Sequence, residues 1–216
     1  MSAPYYQDDL VTLYLGDCLE SQQWLGADVL VTDPPYGMGY LSNFNKTPGV
    51  GRKVAGDHDT KARDTVLAQW GERPAVVFGT WRVERPAKVR QLVIWDKGDS
   101  PGLGDLALPW GPSHEDIYIL GTGFTGKRGA SVIRANTLAP GSHQRPDHPT
   151  PKPIGLMERL VGHTLGVVAD PFAGSGATLI AARNLGRTAI GVELEERYCE
   201  IIATRLSQQA FDLEGL

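Results

Sequence analysis

Short apolar runs recur along the chain, separated by stretches with a longer period. The runs are Val11 to Leu15, Val29 to Thr32, Ala75 to Phe78, Leu92 to Trp95, Ile117 to Leu120, Val167 to Ala169 and Ala189 to Val192. Each is too short for a helix and rich in branched residues, so the pattern predicts seven strands. Several are apolar nearly throughout, as strands covered on both faces are. Residues 60–71, 153–165, 176–186 and 195–209 read as helices, with Pro153 suited to a first turn and Gly186 to a helix stop. Alternating strands and helices predict an α/β fold with a mostly parallel sheet and helices on both faces. Residues 37–58 and 121–150, rich in Gly and Pro, read as two long loops.

Composition narrows this further. With 216 residues, 41% hydrophobic and 21% charged, the chain is long enough for one sizeable core, and a single domain over residues 1–216 is expected. No apolar run approaches the roughly eighteen residues of a membrane span, and the start lacks a basic-then-apolar leader, so the expected location is cytoplasmic, with no membrane partner. Cys18 and Cys199 have no metal-ligand spacing and cannot form a disulfide framework, which makes them two reduced, buried thiols. The five histidines show no metal spacing either, and no metal is expected. The five tryptophans read as core or core-edge packing.

A net charge of −4 argues against indiscriminate coating of nucleic acid, since such binding rests on neutralising phosphates. The charge is unevenly spread. Residues 37–63 hold Lys46, Arg52, Lys53, Lys61 and Arg63 against Asp57 and Asp59, and residues 122–153 hold Lys127, Arg128, Arg134, Arg145 and Lys152 against Asp147. Loops 37–63 and 121–147 are therefore the expected phosphate-facing segments.

Two motifs carry chemistry. Asp33-Pro34-Pro35-Tyr36 comes directly after an apolar strand. Consecutive prolines end the strand and stiffen the backbone beyond it, leaving the carbonyls of Asp33 and Pro34 to accept. An acid, a rigid carbonyl and an aromatic ring at a sheet edge suit an amino group on a flat heterocycle: Asp33 and the Pro34 carbonyl each accept one N–H, and Tyr36 stacks on the ring. The second motif, Asp170-Pro171-Phe172-Ala173-Gly174-Ser175-Gly176, ends another apolar strand and opens a helix. Its glycines let the backbone approach a ligand. Glu193 ends the next strand, where an acid binds a ribose diol in two-strand nucleoside sites. Leu179 replaces the third glycine of a dinucleotide fingerprint, which favours a nucleoside without a pyrophosphate.

In order and wording these pieces resemble the amino-group DNA methyltransferases, which act on N6 of adenine or N4 of cytosine, in the circularly permuted group where Asp-Pro-Pro-Tyr precedes Phe-x-Gly-x-Gly. The resemblance extends to Gly16-Asp17-Cys18, to Val76-Val77-Phe78 with Gly79-Thr80-Trp81, to Trp95-Asp96-Lys97, to His114-Glu115 and to His148-Pro149-Thr150-Pro151-Lys152-Pro153. The family usually has glutamine where Pro151 stands. The resemblance implies a Rossmann-like S-adenosylmethionine-dependent methyltransferase fold, with a target-base half over about residues 1–147 and a cofactor half over about 148–216. It implies that Asp33, Pro34, Pro35 and Tyr36 hold the target base, and that Phe172, Ala173, Gly174, Ser175 and Gly176 line S-adenosylmethionine. Glu193 would then take the ribose hydroxyls, Asp170 the methionine ammonium, Asp17 the adenine end, and Thr150 with Lys152 the methionine carboxylate.

The implied activity is site-specific methylation of DNA at N6 of adenine, within a restriction-modification setting, with loops 37–63 and 121–147 on the DNA. N4 of cytosine, an RNA substrate and a non-catalytic nucleoside-binding or DNA-binding module are the alternatives. A paired amine is inaccessible, so the base must flip out, with Tyr36 replacing its stacking and Phe44 either packed or acting as a wedge. The two loops offer little material for recognition, so a short target, loose specificity or a homodimer is expected.

Overall fold

The computed structural model describes residues 3–38, 41–42, 52–53, 58–98, 102, 104–138 and 146–214, the side chains of 41–42, 52–53 and 209–214 excepted. In chain order the elements are β1 Tyr6–Gln7, β2 Val11–Leu15, a 3-10 turn Gln23–Gly26, β3 Val29–Thr32, β4 Leu41–Ser42, β5 Arg52–Lys53, α1 Lys61–Trp70, β6 Ala75–Gly79, β7 Gln91–Asp96, β8 His114–Leu120, β9 Val132–Arg134, α2 Ile154–Val161, β10 Val168–Asp170, α3 Ala177–Asn184, β11 Ala189–Glu193 and α4 Glu196–Glu214. Every apolar run named above forms a strand, and all four helical stretches form helices.

The main sheet has nine strands rather than seven, in the order β1-β2-β11-β10-β3-β6-β8-β7-β9. The two additions, β1 and β9, are short edge strands of two and three residues whose side chains are mostly exposed, so no apolar run marks them. The sheet is mixed, with five parallel and three antiparallel pairings, so parallel pairing predominates as expected. Its main antiparallel part centres on β8, which runs against both β6 and β7. Residues 37–58, read as plain loop, hold the small antiparallel pair β4–β5.

Alternation along the buried strands splits the core between the two faces. Val29 and Val31 of β3, Val76 and Phe78 of β6 and Val168 of β10 pack with Leu156 and Met157 of α2, Leu179 and Ile180 of α3 and Ile202 of α4. Leu30, Ala75, Val77 and Ala169 point the other way, against Trp24 of the 3-10 turn and Val66 and Trp70 of α1. Helices thus cover both faces, three on one and one on the other. Trp24 and Trp70 stack with centroids 5.9 Å apart, and Arg73 caps Trp70 at 3.5 Å. Trp95 is buried too, but Trp81 and Trp110 are 70% and 80% exposed, against the expectation of core packing. Among the described residues, no helix is long and apolar enough to cross a membrane.

Position of the site follows from strand order. The C-terminal unit β10–β11 inserts between β2 and β3, so β10 leads through α3 to one side and β3 leads toward β6 on the other. Connections that leave neighbouring parallel strands in opposite directions open a crevice at the strands' C-terminal edge. Here that crevice lies between Asp170 and Asp33.

Candidate active site

Four adjacent parallel strands each deliver one acid to this edge: Asp17 just past β2, Glu193 ending β11, Asp170 ending β10 and Asp33 just past β3. Three of them form the half containing the glycine loop. Glu193 is fixed by two backbone donors, Gly174 N–H on Oε2 and Glu195 N–H on Oε1, each at 2.8 Å. Burial nevertheless pushes its carboxyl up to about 7. Asp170 is buried and accepts the Thr32 hydroxyl at 2.7 Å and the Phe172 N–H at 3.2 Å. Burial raises it to about 6, over the opposing hydrogen bonds from Thr178 and Thr32. Asp17 is exposed and accepts the Leu19 N–H at 2.8 Å. The loop itself is pinned by Ala173 N–H to the Val192 carbonyl and by Arg205 to the Ser175 carbonyl. Gly176, at φ +80, has no room for a Cβ, which would lie 2.9 Å from Ile202. Phe172 stays half-buried at the crevice.

The fourth acid belongs to a buried charged cluster. Tyr36 donates its hydroxyl to Asp33 Oδ1 at 2.5 Å, and the Lys152 ammonium donates to Asp33 Oδ2. Lys152 also faces Glu115 Oε2 at 3.3 Å, and Lys97 holds Glu115 Oε1 at 2.6 Å. Phe78, Tyr36 and Trp95 surround the Lys152 ammonium at 5.0, 5.9 and 6.0 Å. Two carboxylates and two ammoniums balance, which makes the burial of Lys152 and the partial burial of the other three tolerable. Burial pushes Asp33 above the ordinary carboxylate value, and Glu115 adds to this against the pull of Lys152. Burial also opposes ionisation of Glu115, but Lys152 and Lys97 outweigh it and hold that carboxyl below its usual value. Asp33 keeps 24% of its side chain exposed, toward the crevice. Pro34 is buried, and among the described residues no donor reaches its carbonyl.

The segment expected to anchor one end of a cofactor spans both halves. His148 lies against the glycine loop, where a Cβ on Gly174 would stand 3.2 Å from its Nε2, and meets Tyr198 edge-on at 4.7 Å. Its Nδ1 accepts the Thr150 N–H at 3.2 Å. Four residues on from His148, Lys152 points into the Asp33 cluster. Sequence order places Lys152 among the cofactor residues; the structure pairs its ammonium with the Asp-Pro-Pro-Tyr motif. Sequence reasoning misses Glu115 and Lys97 as site residues. Their available signal is a charge at the end of each of two apolar strands, Asp96-Lys97 and His114-Glu115.

The described basic residues of the two loops lie in different surroundings. Arg63 is buried, bonded to Asp64 and to the Glu84 carbonyl, and Lys61 pairs with Asp59 at 3.2 Å. Lys127 and Arg128 precede β9, which runs parallel to β7, so they stand at the edge opposite the crevice, whereas Arg134 ends β9 on the crevice edge. Phe44, Lys46 and Arg145 lie outside the described residues.

Cys18 and Cys199 are both buried and free, and burial pushes each thiol up to about 12. Neither is a nucleophile at neutral pH. Iodoacetamide treatment of the native protein is therefore expected to leave both unmodified by mass spectrometry, with catalytic activity unchanged; activity lost in step with alkylation would refute this.

A family model described as "DNA methylase", of N6 and N4 methyltransferases, matches residues 57–204. YubD of Escherichia coli (strain K12) is 29% identical over 206 residues, covering 85% of this chain and 84% of its own. The type II methyltransferase M.ScaI of Streptomyces caespitosus is 24% identical over 269 residues, covering 99% and 86%. Among solved structures, the M1.HpyAVI–SAM complex aligns with TM-score 0.61 and 23% identity over 91% of this chain and 100% of its own. PvuII DNA methyltransferase, cytosine-N4-specific, aligns with TM-score 0.68 and 14% identity over 94% and 88%.

Proposed function

Because the chain belongs to the N6/N4 DNA methylase family, we propose that it transfers a methyl group from S-adenosylmethionine to the N6 amine of adenine in DNA. The observation that carries this is the crevice itself, where Asp33 and the Pro34 carbonyl stand beside the acidic edge of the glycine loop.

The residues present fit the cofactor. Its ammonium, ribose diol and adenine call for anionic acceptors spaced along one edge and for an apolar lining. Asp170, Glu193, Asp17 and Phe172 supply these in that order along β10, β11 and β2. Gly16 borders Glu193, its N–H on the Glu193 carbonyl at 2.9 Å, and nothing lies within 4 Å of the position its Cβ would take. When bound, S-adenosylmethionine supplies a methyl already activated on sulfur.

An exocyclic amine is a weak nucleophile, because its lone pair is delocalised into the ring. Asp33 and the Pro34 carbonyl, each accepting one N–H, would localise that lone pair and fix its direction. Asp33 then receives the proton that the amine sheds. Tyr36 offers a ring face for the flipped base while its hydroxyl fixes Asp33. Lys152 is held by Asp33 and Glu115.

N4 of cytosine presents the same amine to the same acceptors, and the PvuII enzyme of like fold is named for that base. The deciding experiment is incubation with S-adenosylmethionine and unmethylated duplex DNA, digestion to nucleosides and mass spectrometry. N6-methyladenine is the expected product. N4-methylcytosine alone would replace the base and keep the mechanism, and no methylated nucleoside would refute the proposal.

A further inference from the structure

Both carboxylate oxygens of Asp33 are taken inside the protein. Tyr36 occupies Oδ1 and the Lys152 ammonium occupies Oδ2. Each oxygen keeps a second lone pair, but an ammonium on Oδ2 draws on the charge that would accept the amine N–H and later its proton, so Asp33 acts at full strength only if that ammonium moves away. Tyr36 has no strong second partner, since Glu115 is 3.4 Å from its hydroxyl. Lys152 has one: Glu115 Oε2 is 3.3 Å from its ammonium, on a carboxylate steadied from the far side by Lys97. The rings of Phe78, Tyr36 and Trp95 enclose the rest of the ammonium, and the Lys152 side chain is only 7% exposed. The short displacement open to it runs from one carboxylate to the other.

We propose that Glu115 is a positioning residue of the base site: it takes over the Lys152 ammonium when the substrate amine enters, so that Asp33 Oδ2 becomes free to accept the amine N–H. This rests on the reading of Asp33 as the amine acceptor and adds a residue that touches neither base nor cofactor. Charge balance holds through entry of the amine, is one positive charge in excess while Asp33 carries the proton, and returns when that proton leaves. Before entry, Asp33 and Glu115 share two ammoniums; after entry, Glu115 holds both while Asp33 faces a neutral amine. In the transfer the nitrogen lone pair forms the N–C bond, the C–S pair remains on sulfur, and the N–H proton passes to Asp33 Oδ2. Asp33 is then neutral and has no claim on Lys152. Loss of that proton to water restores the anion and draws the ammonium back, which closes the acceptor behind the departing base.

A merely structural Glu115 would make every variant worse as more of the cluster is removed. The proposal gives a different order. Glu115→Gln removes the second carboxylate, leaves the ammonium on Asp33 and is expected to slow methylation of unmethylated duplex DNA by about 10²-fold. Cofactor affinity by calorimetry should stay within about twofold, since Glu115 lies outside the glycine-loop half. Adding Lys152→Met to Glu115→Gln removes the occupant and should recover about tenfold of the lost rate. Glu115→Asp, which keeps the charge, should lie between the unmutated protein and Glu115→Gln. Thermal melting of each variant reports whether it is folded.

A double variant slower than Glu115→Gln, with both folded, overturns the proposal, as does Glu115→Gln turning over at the unmutated rate. Either result leaves the reading of Asp33 standing. If the unmutated protein methylates no nucleic acid, the reading of Asp33 falls, and the proposal falls with it.

Discussion

Asp33→Ala is expected to lower methyl transfer by about 10³-fold while cofactor affinity changes by no more than about twofold. In the proposed mechanism Asp33 is an oriented acceptor and the proton's destination, and both act on the transition state more than on the bound cofactor. Asp33→Asn keeps an acceptor oxygen and loses the charge, so it should retain more rate than alanine. The change also leaves Lys152 and Lys97 sharing Glu115 alone, an excess positive charge in a buried cluster, so the melting temperature should fall. Single-turnover methylation of unmethylated DNA, calorimetry with S-adenosylmethionine and a thermal melt check the three parts. Methylation at the unmutated rate would remove Asp33 from the mechanism.

The second large effect concerns the cofactor half. Glu193→Ala should weaken S-adenosylmethionine binding by about 10²-fold, through loss of a buried, charge-assisted acceptor. It also leaves the Gly174 and Glu195 N–H groups without the carboxylate they now share. Proton linkage gives an independent check on the unmutated protein. Burial raises Glu193 to about 7 and Asp170 to about 6, so in the ligand-free protein both carry protons at pH values where a free carboxyl has lost its own. An ammonium near Asp170 and a diol donating to Glu193 favour the ionised forms, so binding must release protons. Affinity should therefore rise between about pH 5 and about pH 7.5, with proton release measurable in buffers of different ionisation enthalpy. The same raised values make the ligand-free fold lose stability as pH climbs from the ordinary carboxylate range through about 7. Binding that is flat across this range, or equally tight in Glu193→Ala, would count against these roles.

What sequence could convey depended on range along the chain. The seven apolar strands and four helices were legible because each is encoded by its own few residues. β1 and β9 were not, since a two- or three-residue edge strand with exposed side chains has no apolar period. The same division runs through the site. Asp33 to Tyr36 and Asp170 to Gly176 are local turns whose prolines and glycines announce them, and Glu193 comes after them at a readable spacing. The bond from Lys152 to Asp33 joins residues 119 apart, and Glu115 arrives on a strand of the opposite direction. No local pattern specifies which strands become neighbours, so Lys152 stands beside the cofactor motif in sequence and bonds to the other motif in space. Loop charge counts carry no spatial information either: Lys127, Arg128 and Arg134 sit within eight positions of one another and yet divide between opposite edges.

The insertion of β10–β11 between β2 and β3 bears on how the chain is made. Thr32 and Asp170, bonded across the crevice, are 138 residues apart, and β2 finds its parallel neighbour only in β11. A ribosome releases β2 and β3 early, with a two-strand gap between them that nothing yet synthesised can fill. The central sheet edges stay open until the last fifth of the chain emerges. Contacts of such long separation are slow to form and leave strand edges free to pair wrongly in the meantime. The glycine loop and its acids thus enter the fold last: the segment that borders the crevice is the one that closes the sheet.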